Sequence, residues 1–110
     1  MKDIKSIVYE IDGQILSINI GEKSQIKYGN ILSVISEEKL FKYLEELLCI
    51  IVNWDDEYIN TNVIDGSNWK LSIIYFNDNK KEYRGKSSFP NNFVAFESLN
   101  QKLIKDVQNG

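Results

Sequence analysis

Residues 64–85 read IDGSNWKLSIIYFNDNKKEYRG, and KSSFPNNF follows at 86–93. Within this stretch Trp69, Leu71, Ile73 and Tyr75 alternate with Lys70, Ser72, Ile74 and Phe76, the two-residue period of a β-strand. Apolar residues fall on both faces, so a central position in a sheet is expected. Asp65-Gly66-Ser67-Asn68 reads as the turn before it. Asn77-Asp78-Asn79 reverses the chain into a second strand, Lys81–Arg84, ended by Gly85. Loops of two and of three residues both fit that reversal, so the register of this hairpin is left open. Pro90 then opens a helix, with Asn91 or Asn92 as its cap and Phe93, Phe96, Leu99, Leu103, Ile104 and Val107 as its apolar stripe. Asn100 falls inside that stripe and is read as a buried amide bonded to backbone.

Toward the N-terminus, Asp12-Gly13 is the strongest short hairpin signal, because a type I′ turn needs positive φ at both central residues. A two-residue loop sets Ile11 opposite Gln14, Tyr9 opposite Leu16, Ile7 opposite Ile18 and Lys5 opposite Ile20. One face then carries Ile7, Tyr9, Ile11, Leu16, Ile18 and Ile20, so turn chemistry and hydrophobic pattern agree. Gly21 ends the second strand, and Gln25–Tyr28 is an optional third. Ser36 caps a helix running to Trp54, with Glu37 and Glu38 at the positive end of its dipole and Ile35 stapling Leu40. Its apolar residues, Phe41, Leu48 and Val52 among them, cover an arc of about 200°, roughly twice the stripe that one sheet requires. Contact on two sides is expected of it. A strand over Glu57–Ile64 follows. The order is ββ(β)-α-βββ-α: one domain over residues 1–110, of class α+β. It has one mostly antiparallel sheet of five to six strands and two helices on one face.

Asp65-Gly66-Ser67-Asn68-Trp69-Lys70-Leu71-Ser72-Ile73, with Tyr75, Gly85 and Pro90-Asn91-Asn92-Phe93, resembles a recurrent ending of small uncharacterised bacterial proteins of Firmicutes type. In that family a D-G-x-x-W turn leads an alternating strand, a D-G hairpin follows, and a G-x-x-x-x-P-x-N-F segment enters the last helix. Here Asp78-Asn79 replaces the hairpin D-G, and Lys86-Ser87-Ser88 departs from the usual small-residue link. The resemblance covers the last third to 40% of the chain. It implies the fold and carries no activity, although some members look like neighbours of toxin genes.

Composition narrows the function. The chain is 43% hydrophobic and 26% charged, ordinary for a globular protein. A net charge of −3 argues against a nucleic-acid footprint, which needs clustered Lys and Arg. No apolar run approaches a membrane span, and Met1-Lys2-Asp3-Ile4-Lys5 lacks the core of a signal peptide, so a cytoplasmic protein is expected. Cys49 is the only cysteine, and there is no histidine to activate a thiol or a serine. Neither a catalytic residue, a metal nor a cofactor is expected.

The residues that remain are charges. From Ser36 to Tyr58 seven acids (Glu37, Glu38, Glu45, Glu46, Asp55, Asp56, Glu57) stand against Lys39 and Lys42. Lys80, Lys81, Arg84 and Lys86 form an opposite pole, read as lysines guarding an edge strand. The expected function is a non-enzymatic protein-interaction module, with a toxin-neutralising immunity protein as the particular case. It would bind a basic protein through Glu45, Glu46, Asp55, Asp56 and Glu57, with Trp54 as anchor. A homodimer through the wide helix is a second expectation. The alternative is a small-molecule module with Trp69, Tyr75 and Phe93 lining a cavity between sheet and helices. An enzyme using carboxylates alone stands third.

Overall fold

Two tight turns build the N-terminal half of the sheet. The computed structural model describes residues 3–62 and 66–109. Strand β1 (Ile4–Ile11) turns into β2 (Gln14–Asn19) through Asp12 at φ 48° and Gly13 at φ 86°, the two positive angles of a type I′ turn. Ile11 faces Gln14, Tyr9 faces Leu16 and Ile7 faces Ile18, the register expected from the sequence. A register shift between Ile4 and Ser6 against the far neighbour lets Ile4 and Ile7, three residues apart, both turn inward. Strand β3 (Gln25–Tyr28) pairs with β2, and Gly29-Asn30, with Gly29 at φ 57°, returns the chain as β4 (Ile31–Val34).

Helix α1 (Glu37–Ile51) begins where expected: Ser36 is extended at φ −67°, ψ 152°, and its hydroxyl accepts the Lys39 N–H at 3.3 Å. It ends at Ile51 rather than at Trp54, whose N–H closes a turn onto the Ile51 carbonyl. Strand β5 (Glu57–Ile59) is shorter than the expected Glu57–Ile64; Val63, Ile64 and Asp65, with the start of the expected Asp65 turn, lie outside the described residues. Strand β6 (Asn68–Tyr75) meets β7 (Lys80–Lys86) through a hairpin in which Tyr75 pairs with Asn79 across the three residues Phe76-Asn77-Asp78. There the Asp78 N–H reaches the Tyr75 carbonyl, Asp78 stands at φ 68°, and the Tyr75 N–H reaches the Asn79 carbonyl. That left-handed residue resolves the open register, pairing Ile73 with Lys81 and Leu71 with Tyr83. Helix α2 (Phe93–Asn109) completes the chain.

The strand order is β4-β3-β2-β1-β6-β7-β5. The expected α+β architecture with two helices and one sheet is present, but the sheet has seven strands and is mixed. Two departures account for the difference. Gly29-Asn30 adds β4, and β5 lies at the edge parallel to β7, which comes later in the chain and lies between β5 and β6. β6 is internal, as its two apolar faces require.

One face of the sheet is buried under both helices. Its core joins Ile7, Ile18, Ile26, Leu71 and Ile73 of the strands to Leu40, Leu44, Leu47, Phe96 and Leu103 of the helices. Gly85, expected to end its strand, sits inside β7 opposite Trp69. A Cβ there would meet the Trp69 Nε1 at 2.0 Å, so the indole lies over the bare backbone and donates to the Ser88 carbonyl at 2.9 Å.

Candidate functional site

The acidic run after α1 and the basic run of β7 are not separate poles. Parallel pairing sets Glu57 opposite Arg84, so the two charge clusters fall on neighbouring strands. Arg84 places Nε at 2.9 Å and Nη2 at 2.8 Å from one Glu57 oxygen. Lys81 Nζ lies 2.5 Å from Asp56 Oδ1, and Lys80 lies 3.0 Å from Glu82. The hydrogen bond to Asp56 raises the Lys81 pKa, and the one from Lys80 holds the Glu82 carboxyl below its ordinary value. These groups are exposed or half-buried, and solvent screening leaves such pairs little weight in stability. β5 pairs with β7 only over Arg84–Lys86, so Arg84 and Lys86 lie one strand in from the edge, whereas among the described residues no strand pairs with the outer side of β7 at Lys80 and Lys81, where lysines guard an edge as expected.

Trp54 is interior. It is 9% exposed and packs its ring on Trp69 at 5.6 Å, Tyr83 at 5.8 Å, Phe96 at 5.3 Å and Phe93 at 6.0 Å. Its Nε1 donates to Asn92 Oδ1 at 2.6 Å, and Asn92 Nδ2 donates to the Ile50 carbonyl at 2.8 Å. Asn92 takes the cap position of α2 through its backbone carbonyl, which accepts from Ala95 and Phe96. Its side chain instead latches the end of α1 to the start of α2.

Asp55, Glu45 and Glu46 remain exposed, and no ion pair among the described residues engages them. The Asp55 N–H donates to the Tyr58 hydroxyl at 2.8 Å. Glu45 and Glu46 point about 100° apart around the helix. Glu46 lines a small cleft with Lys39, Lys42, Lys102 and Asp106 between the helices. Glu45 shares the opposite exposed strip with Glu38, Phe41 and Val52, spaced three, four and seven residues along α1. Phe41 is 41% and Val52 72% exposed, so the wide apolar arc is only partly covered by the fold. The strip was legible as that excess width, whereas its membership required knowing which side the sheet and α2 occupy.

Two other features have their own geometry. On the sheet's uncovered face, Glu10, Lys70, Arg84 and Glu57 form one row across β1, β6, β7 and β5. With Asp12 and Lys86 they line an open groove of about 590 Å³, in which two adjacent bases stand between two acids and the three acids balance the three bases. Between the helices the Tyr43 hydroxyl donates to Asn100 Oδ1 at 2.6 Å, so the Asn100 amide is held by a side chain and not, as expected, by backbone. Among the described residues Asn100 Nδ2 has no acceptor, and full burial raises the Tyr43 pKa. Tyr9 donates to the Glu97 carboxylate; burial first, and that bond second, raise its pKa.

The residues proposed to line a ligand cavity do not surround one. Trp69 and Phe93 rings are 5.0 Å apart, and Tyr75 lies at the far end of β6 from Trp69. Among the described residues no group of three Cys, Asp or Glu is placed to hold a metal, and no helix is long and apolar enough to cross a membrane. A scan against protein-family models matches none, and neither the curated proteins nor the solved structures include a significant match.

Proposed function

We propose that this chain is a non-enzymatic protein-interaction module that binds a basic protein surface through the outward strip of α1. The observation that carries the reading is the exposure of Phe41 and Val52 beside Glu38 and Glu45 on one helix face. Apolar side chains of this size held in water beside uncompensated carboxylates suit a contact whose centre is dry and whose rim is charged. Asp55, just past the helix, extends the negative field toward the same end. Exposed rim charges raise association rate more than affinity, so binding weakens as salt rises. A cationic toxin such as a nuclease is the partner class this chemistry fits best, in keeping with an immunity role. Trp54, buried against Trp69, Tyr83, Phe93 and Phe96, is not part of that surface.

The filled interior gives less support to a small-molecule module, since Trp54, Trp69, Phe93 and Phe96 occupy the space such a ligand would need. The test immobilises the chain and exposes it to lysate of its own host at low salt. The comparison is with Glu38→Lys/Glu45→Lys and with Phe41→Ser/Val52→Ser. A basic protein retained by the parent and lost from both variants supports the reading. Retention that is indifferent to both overturns it.

A further inference from the structure

We propose that two copies of this chain pair edge to edge through β4, antiparallel, about a two-fold axis passing between their Ser33 residues. β4 ends the strand order, so among the described residues one side of it carries no neighbouring strand. The Ile35 N–H bonds the Ser24 carbonyl at 3.0 Å, which sets the parity of the β3–β4 ladder. In an antiparallel ladder bonded and non-bonded pairs alternate, so Ser33 with Ile26 and Ile31 with Tyr28 are the bonded pairs. Leu32 and Val34 therefore direct their N–H and C=O groups away from β3, toward the open edge.

The pattern on that edge is its own complement. A two-fold axis at Ser33 sets Leu32 of one copy against Val34 of the other, and Val34 against Leu32. Each such pair exchanges two backbone hydrogen bonds, giving four across the axis. Leu32 and Val34 are 65% and 58% exposed and share the sheet's uncovered face, so the same pairing gathers four apolar side chains there. Ile31-Leu32-Ser33-Val34 has no charge and no proline, the usual means of keeping an edge single. The nearest charge, Lys27, lies one strand back beside Leu32. In the paired sheet its row continues through Leu32 and the other copy's Val34 to Gln25, so no like charges meet. A second copy is the occupant because about this axis the exposed Leu32 of each chain meets the exposed Val34 of the other and no like charges are opposed. This inference does not depend on the α1 strip.

The experiment measures oligomeric state by sedimentation and then traps the register. The parent chain should sediment as a reversible dimer at micromolar concentration, and Leu32→Lys/Val34→Lys should weaken dimerisation tenfold or more with unchanged circular dichroism. In a Cys49→Ser background, Ser33→Cys should form a disulfide-linked dimer on air oxidation, since facing non-bonded residues stand about 4.5 Å apart at Cα, within disulfide reach. Leu32→Cys in the same background should not. A parent that is monomeric at every concentration, a dimer indifferent to the two lysines, or equal cross-linking of both cysteine variants overturns the proposal.

Discussion

The two edges of this sheet are finished by opposite means. At the β5 edge the last strand, β7, lies between β6 and the earlier β5, and β5 is held to it by side chains: Arg84 on Glu57, Lys81 on Asp56, and beneath them Tyr58, Trp69, Tyr83 and Trp54 in ring-to-ring contact. At the β4 edge two short turns deliver the strand, and it presents uncharged backbone to its surroundings. The first edge is closed by contacts remote in sequence. The second is formed by local ones and left unfinished, which is why an interface is inferred at β4 and not at β5.

The comparison breaks most readily at the aromatic end. Trp54→Ala removes the ring that four others pack on and leaves Asn92 without its donor; a loss of about 3–5 kcal/mol in chemical unfolding is expected. A loss under about 1 kcal/mol would show that the β5 end is not held from inside. Gly85→Ala comes next, at about 1–3 kcal/mol, because the added methyl overlaps Trp69 Nε1 and the Ser88 carbonyl. Indole fluorescence should shift with it as Trp69 is displaced.

At the other edge, Leu32→Lys should change monomer stability by no more than about 0.5 kcal/mol, measured under conditions where the chain is single. A larger loss would mean that β4 is packed and not merely paired. The smallest effect is acidification. Glu82 has its pKa lowered by Lys80, so its contribution is present above the ordinary carboxylate range and is lost as pH falls through its folded value. Amide exchange in β7 and β5 should quicken slightly on acidification, relative to intrinsic rates, while β4, which has no charge, keeps its protection.

Local chemistry was readable in the sequence. Asp12-Gly13 dictated a turn, a register and a buried face together, and Ser36 announced its helix through one hydroxyl. Gly29-Asn30 carried a similar signal for β4, but four residues are too short a run for periodicity to speak. The β6–β7 register depended on whether Asp78 would accept positive φ, a choice between near-equal backbones. What a sequence read segment by segment could not yield is the parallel placement of β5, since no local pattern records which strand it will lie beside. That single placement turned Asp56 and Glu57 from expected binding residues into partners of Lys81 and Arg84. It also let Trp54, which reads as a surface anchor after a helix, become the centre of the aromatic cluster.

The first strand made is also the strand in the middle. β1 receives β2 almost at once, but its other flank waits for β6, with Ile11 pairing to Trp69 and Ile4 to Tyr75. At elongation rates of about 5–20 residues per second a gap of nearly sixty residues corresponds to roughly 3–12 s. For that interval the segment β1–β4 has no further strand to pair with, at β1 on one side or β4 on the other. Closure of β1 on β6 is then the slow event of folding, the step at which distant chain must be captured before any contact repays it. A nascent chain stalled between residues 35 and 68 should therefore be the species most dependent on chaperones.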